Sequence, residues 1–536
     1  MATTLDLLLE LVGVQSDTGT TMELAMAAKL HALIREHPYF AQHPDHCGTF
    51  EQGDLLKRPV VWGLRKGSGR RTVILAGHFD AVEIEPYGWL KPYALAPAEL
   101  KRKMLESGGW DEDMARDLRD DNWGFGRGMA DMKAGLAILL QALFEHRNPA
   151  VNLLFMGVPD EENMSSGALQ SIPLLHQLRQ RFGLDYSLLI LGEPQCHNVE
   201  NCRDVQLVGG STGKMLPVVL TKGILTHAAD ILKGINSAFM LAEIVRRVEL
   251  NPDLAAEHLG CFAQPPTVQI MRDQKTTYDV SVPEFSAACF NFMFLRNRTP
   301  MSLVEALGDL CRQAMEAVVA RYQAAFDHMA AGGGIAERAR LRFTPEVLTL
   351  SQLEGRLREQ GGDFAAFRKE ITGQLGERIR SGQCNLPGAS VLYMKALVER
   401  SRITGPVVLI GISPPYYPSV NTAAIGKDIA PILAGLDGYM RAKYGSGVVD
   451  VPYCAGMTDM SYTSCLDPGT ERRFLDNLAL PTDLYDVPVE GIGELNIPAL
   501  IIGPQGKDIH KRGERVYLPD VTGRIPDLIG RIIEQA

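Results

Sequence analysis

No long run of Lys and Arg interrupts this sequence, and its formal net charge is -10. Nothing in that pattern calls for a nucleic-acid partner. No CxxC pair occurs among the nine dispersed cysteines. An odd total without short spacings argues against a disulfide framework and against a cysteine zinc ribbon, and it leaves mostly reduced thiols. The first helix-like stretch carries Asp6, Glu10, Asp17 and Glu23 among its apolar residues. It therefore lacks the uninterrupted apolar region of a signal peptide or a membrane span. A small-molecule or short-peptide substrate is expected, in the cytoplasm, with no nucleic acid and no membrane.

With 536 residues, the chain exceeds the size at which a single core stops growing, so two domains are expected. Residues 1 to 36 read as two amphipathic helices broken by VGVQSDTGTT. A strand from Val60 to Leu64 and the turn KGSGRR lead into a second strand, TVILAGHFD. The connection from Asp80 to Gly126 is long, contains Trp89, Trp110 and Trp123, and includes one helix-like piece, PAELKRKMLES. Loops of this length inside a domain are commonly lids, binding loops or insertions. A Gly-rich turn then enters the apolar helix of GFGRGMADMKAGLAILLQALFEH, followed by strand, helix and strand up to Glu193. That alternation predicts an α/β fold, a mostly parallel sheet with helices on both faces. From about Val205 the pattern becomes two strands, a helix, two strands and a helix, an inserted α+β domain enlarged by charged helices over 327–403. The strand from Pro406 reads as a return to the parallel style. The expected division is 1–204 with 404–536 as one domain and 205–403 as the insertion.

Four apolar runs end in carboxylates or a histidine: TVILAGHFD, VNLLFMGVPDEEN, SLLILGEP and PALIIGPQGKDIH. In open α/β sheets, ligands sit at the carboxyl ends of the strands. His78, Asp80, Asp131, Glu161, Glu162, Glu193 and His510 thus become candidates for one shared site. Imidazole and carboxylate together suit zinc, manganese or cobalt better than calcium, which prefers oxygen alone. So many donors fit two ions better than one, and a bridging carboxylate lets two ions sit roughly 3.5 to 4 Å apart. Taken singly, GHFD or LGEP is only a strand end before a polar loop. The pair Glu161-Glu162 alone is a solvated loop or a helix start. It is the convergence that points to chemistry.

GHFD, GRGMADMKAG, PDEEN, LGEP and KDIH, in that order, resemble the di-zinc amidohydrolase and metallopeptidase family that includes aminoacylase, acetylornithine deacetylase, succinyl-diaminopimelate desuccinylase and carboxypeptidase G. The resemblance implies a di-zinc exopeptidase-like catalytic domain with an inserted lid and dimerisation domain. It implies that His78 and Glu193 bind one metal, Glu162 and His510 the other, and that Asp131 bridges them, with a cis peptide to Met132. Asp80 would orient the His78 imidazole, and Glu161 would be the general base. GILTHAADILKGINS resembles the family's G-x-x-x-H...G-x-N stretch, which gives His227 the role of an oxyanion donor reaching across a homodimer interface. The family's D-x-R arginine, which grips a substrate carboxylate, is replaced here by Phe290-Asn291-Phe292-Met293. The long 80–131 connection, the enlarged 300–400 region and GMTDMSY around Asp459 most resemble the RocB arginine-utilisation branch. The function implied is hydrolysis of an amide bond in a small N-acyl amino acid, amino-acid derivative or short peptide, in the arginine-catabolic setting of that branch. The expected cofactor is a pair of divalent ions, zinc foremost, with manganese or cobalt as alternatives. A dipeptidase or carboxypeptidase, and a catalytically silent metabolite-binding regulator, are the competing readings.

Overall fold

Thr72, Val73, Ile74 and Leu75 are β-branched or apolar and wholly buried, and the strand they form, Arg71–His78, lies near the middle of an eight-stranded sheet. The computed structural model describes residues 2–195, 204–361 and 363–536. Cys196 and Cys202 fall outside them. The chain divides into two units: Met1–Ser211 with Val420–Leu466 and Glu490–Ala536, and Thr212–Ser419 with Asp467–Val489.

In the first unit the strand order is Cys47–Phe50, Val60–Arg65, Asn152–Val158, Arg71–His78, Asp185–Leu191, Ala499–Ile501, Val205–Val208 and Val448–Val451. The four strands from Asn152–Val158 to Ala499–Ile501 run parallel. Side chains alternate across a strand, so Val73 and Leu75 enter one core and Ile74 and Ala76 face away from it. The first core joins Leu153, Phe155, Leu188 and Ile190 to the helices Thr4–Val12, Glu23–Glu36, Ala134–Glu145 and Ile525–Gln535. On the opposite face, Ala76, Met156 and Leu189 meet Ile172 and Leu175 of helix Ser166–Phe182. Helices therefore cover both faces, as the alternating pattern predicted. The last helix buries Ile525, Leu528, Ile529, Ile532 and Ile533 at helical spacing. At about 1.5–3 kcal/mol for each buried side chain, this anchors the segment that carries Ala499–Ile501.

The second unit is built on a five-stranded sheet in the order Thr267–Asp273, Phe285–Phe294, Gly213–Lys222, Val407–Tyr417, Glu346–Thr349. It also contains the helices Ser237–Val248, Pro300–Ala331, Leu350–Glu359, Phe364–Arg380 and Leu386–Arg400. Beyond Asp467–Val489, which belongs to the second unit, two placements differ from the sequence reading. Val205–Val208 pairs in parallel with Val448–Val451 in the large sheet, and Val407–Tyr417 pairs antiparallel with Gly213–Lys222 in the small one. The second is explained by burial: the first eight residues of Val407–Tyr417 are all buried, and a continuous apolar run reads alike in a parallel strand and in a central antiparallel one.

The long connection after Asp80 folds on a small core of its own around Tyr87, Leu90, Leu100, Met104 and Phe125. It contains the helices Pro97–Ser107 and Glu112–Leu118. Its short strand Trp123–Phe125 pairs with Arg515–Tyr517, which pairs with Gly506–Lys507. Among the described residues no helix is long and apolar enough to cross a membrane. Cys454 is disulfide-bonded, an exception to the mostly reduced thiols expected, whereas Cys47, Cys261, Cys289, Cys311 and Cys384 are free.

Candidate metal centre

Parallel pairing in register brings the strand ends level: His78 stands opposite Val158, and Ala76 opposite Leu191. Beyond Val158 the chain turns through Asp160, whose φ is 69°. A buried guanidinium holds this turn, with Arg58 Nη1 donating to Asp160 Oδ1 and to Glu23 Oε1, each at 2.7 Å. Glu23 Oε2 in turn accepts the Asp160 N–H at 2.9 Å. Glu161 and Glu162 follow directly. Glu193 is positioned by close backbone contacts that admit no Cβ. One added to Gly135 would lie 1.7 Å from the Gly192 carbonyl oxygen, and one added to Gly503 would lie 2.0 Å from that of Glu193. Asp131 lies just before helix Ala134–Glu145, with a cis peptide to Met132. His510 lies in the loop between Gly506–Lys507 and Arg515–Tyr517.

Asp131 presents its two oxygens to two imidazoles. Oδ1 lies 3.0 Å from His78 Nε2, and Oδ2 lies 3.3 Å from His510 Nε2. Glu193 Oε2 is 3.7 Å from His78 Nε2, and Glu162 Oε1 is 2.7 Å from His510 Nε2. Three donor groups have ligand atoms within 4.8 Å of one another: His78, Asp131 and Glu193; Asp131, Glu162 and His510; and His78, Glu161 and Glu162.

The ionisation of the cluster records an excess of negative charge. Burial pushes the Glu161 carboxyl well above the usual range, with Glu193 and Asp459 adding to the push while His78 opposes it. Burial likewise raises Glu193 to about 7. Hydrogen bonds to Asp131 and Glu162 raise His510 to about 10. For His78, burial favours the neutral ring, but Glu193, Asp131 and Asp80 together outweigh it and hold the pKa well above the ordinary value. Among the described residues the buried Glu193 Oε1 has no hydrogen-bond partner. Borderline-soft divalent cations bind this mixture of imidazole and carboxylate, and they would supply the missing positive charge in place of the protons. The donor set fits two such ions.

Asp80 is placed somewhat differently from the expectation. His78 Nδ1 donates to the Asp80 backbone oxygen at 3.0 Å, while the carboxylate stands 3.4 Å away. That carboxylate accepts the N–H groups of Glu161 and Glu162 at 3.1 and 3.2 Å, so it braces the acidic pair as well as the ring. His227 belongs to the second unit and is exposed, and its Nδ1 accepts the Ala229 N–H at 3.1 Å.

Glu514 and Arg127 were not singled out from the sequence. Both are 1 % exposed, and Arg127 Nη1 donates to Glu514 Oε2 at 2.5 Å. Glu514 Oε1 accepts the N–H groups of Ala130 and Asp131 at 3.2 and 3.3 Å, while Arg127 Nη2 donates to the His510 carbonyl at 3.3 Å. One ion pair thus ties the Asp131 turn to the His510 loop. The available signal was a carboxylate four residues past His510, but its partners lie 384 and 383 residues away in sequence. Arg515 anchors the same loop through Asp117 at 2.7 Å, Asp113 at 2.6 Å and Asp508. Asp113 and Asp117 come from the long connection, which shows what that insertion contributes to the site.

A family model described as Peptidase family M20/M25/M40 matches residues 74–322. YqjN of Bacillus subtilis (strain 168), an uncharacterized protein, is 31% identical, covering 98% of this chain and 94% of its own. RocB of the same organism is 28% identical over 97% of this chain and 92% of its own. Among solved structures, an M20 family metallo-carboxypeptidase from Sulfolobus solfataricus covers 100% of this chain and 99% of its own, with a TM-score of 0.53 and 13% identity. That last likeness is one of fold.

Proposed function

Because the chain belongs to peptidase family M20/M25/M40, a family of metal-dependent hydrolases, we propose that it uses two divalent ions, zinc foremost, to hydrolyse an amide bond. The substrate would be a small N-acyl amino acid, amino-acid derivative or short peptide. The observation that carries this reading is the Asp131 carboxylate set between two imidazoles at 3.0 and 3.3 Å, with Glu193 on one side and Glu162 on the other. When bound, the ions polarise the scissile carbonyl and acidify the attacking water. His78, Asp131 and Glu193 would hold one ion, and Asp131, Glu162 and His510 the other. Glu161 lies beside these ligands and takes the proton of the attacking water, then returns it to the leaving amine. Asp80 fixes the His78 ring and the backbone of the Glu161-Glu162 pair, so the base keeps its aim.

His227 would act in a partner subunit as an oxyanion donor, with the second unit as the contact. Two observations support a homodimer through that unit. The strand Thr267–Asp273 is a sheet edge with exposed Ile270 and Met271, and Phe262 and Tyr278 are 72% and 92% exposed. Open strand edges and exposed apolar side chains are surfaces that association covers. A cytoplasmic setting and a place in arginine catabolism complete the proposal. Retention of Glu161 beside the ligands favours an enzyme over a silent metabolite binder, which has no need of a base.

The test is a hydrolysis screen of N-acyl amino acids and dipeptides with added zinc, manganese or cobalt, with Glu161→Gln as the control. Metal-dependent turnover that Glu161→Gln reduces by about 10² to 10⁴ is expected. Stoichiometric metal binding with no amide hydrolysed would overturn the reading.

A further inference from the structure

Asp459 opens the short turn Asp459–Tyr462 of the first unit. It is 7 % exposed, and among the described residues neither carboxylate oxygen has a hydrogen-bond partner of good geometry. A buried carboxylate is ordinarily paired or hydrogen-bonded, because taking its charge out of water is otherwise costly. Burial raises its carboxyl to about 7, with Ser165 opposing that shift, and among the described residues no cationic side chain pairs with it.

Asp459 lines a cavity of about 40 Å³, whose walls include Ala76, Val158, Leu191, Ile172, Leu495 and Thr463. Ala76 and His78 are two residues apart on one strand and so share a face of the sheet. Val158 and Leu191 are the last residues of the strands that lead to Glu161 and Glu193. The cavity therefore adjoins the metal centre on the His78 side, and Asp459 interacts electrostatically with His78, Glu193 and Glu161.

We propose that Asp459 and this cavity form a subsite for a primary ammonium group of the substrate, so that the preferred amides carry a free, positively charged amino group. The proposal rests on the amide-hydrolase reading above. Charge selects the class: an anion would meet Asp459 and Glu161, and a neutral group would leave the buried carboxylate uncompensated. Size narrows it. At roughly 10–15 Å³ per water on this measure, the cavity has room for an ammonium and the carbon or two that bear it. A third metal ion is disfavoured by the donors. Among the described residues Asp459 belongs to no group of three possible ligands, and the other polar residues of the lining, Ser171, Tyr462 and Thr463, bring only neutral hydroxyls.

Two matched substrate pairs test this on the metal-loaded enzyme: alanyl-alanine against propionyl-alanine, and N-acetylornithine against N-acetylnorvaline. Within each pair the members differ by the ammonium group. The charged member of at least one pair should have the higher kcat/KM by about 10² or more, since a site built to pair a polar group rejects the analogue lacking it strongly. Asp459→Asn should collapse that ratio to within a few-fold, and Asp459→Ser serves if the first variant does not fold. Hydrolysis of both pairs without a charge preference would refute the subsite and leave the hydrolase reading standing. So would an equal loss on both members in the Asp459 variants. Failure to hydrolyse any amide would overturn both.

Discussion

Replacing Glu514 separates support of the fold from support of the metal centre. Glu514 and Arg127 are a fully buried pair, and removing one partner of such a pair costs about 3–5 kcal/mol because the other charge is left uncompensated. Glu514→Leu also removes the acceptor of the Ala130 and Asp131 N–H groups, and each orphaned buried donor costs about 1–3 kcal/mol. Glu514→Gln keeps a carbonyl oxygen for those donors and loses mainly the charge-assisted part, about 1.5–3 kcal/mol. Metal affinity should fall about 10-fold in the Gln variant and about 100-fold in the Leu variant, the range typical of groups that orient ligands. The double variant Arg127→Met with Glu514→Leu removes both charges at once, which is often neutral or stabilising relative to a buried pair. Its stability should recover above that of Glu514→Leu while its metal affinity stays low, since the Asp131 N–H still has no acceptor. Urea denaturation with chelator present and competition against a metallochromic chelator measure the two quantities. If affinity recovers together with stability, Glu514 only supports the fold and the positioning argument is wrong.

His510→Ala should lower metal content and leave partial activity that excess metal restores; unchanged content and affinity would remove His510 from the ligand set. His227→Ala should still bind two metals and dimerise, yet lose roughly 10² to 10³ in turnover as one oxyanion donor goes. Mixed with Glu161→Gln chains it should regain activity in heterodimers, and no recovery despite demonstrated subunit exchange would place His227 outside the partner's site. Protons should leave as metal enters. His510, raised to about 10, carries its extra proton at pH 7, and His78 is shifted in the same direction, so affinity should rise about tenfold per pH unit for each proton displaced. Calorimetry in buffers of different ionisation enthalpy counts them, and zero release is the contrary result. The sign reverses for stability with chelator present. The raised His510 pKa stabilises the fold fully below the unfolded value near 6.5 and progressively less as pH climbs toward 10, a decline that denaturation at stepped pH would reveal.

The convergence of these carboxylates and imidazoles was legible because its signal is local. Each of His78, Glu161, Glu162, Glu193 and His510 follows an apolar run, and a parallel sheet needs no further information to align such ends. Asp80 was legible only in part. Its spacing from His78 suggested contact with the ring, whereas its bonds to the Glu161 and Glu162 N–H groups depend on how a distant loop turns. The place of Val407–Tyr417 was hidden because a strand buried over its first eight residues gives no sign of its neighbours. Glu514 with Arg127 and the orphaned carboxylate of Asp459 were hidden for a different reason. Their meaning lies in what they touch, or fail to touch, hundreds of residues away, and no spacing rule encodes that.

The pairing of Trp123–Phe125 with Arg515–Tyr517 also fixes an order of events during synthesis. Chains emerge amino end first, so His78, Asp131, Glu162 and Glu193 are made long before His510. Until then the nascent sheet lacks its Ala499–Ile501 strand, and the acidic pocket lacks its second imidazole. A cation that entered early would meet an incomplete set of the proposed ligands. Docking of the late hairpin onto the early insertion would complete that set, so the choice of metal would fall to the finished protein.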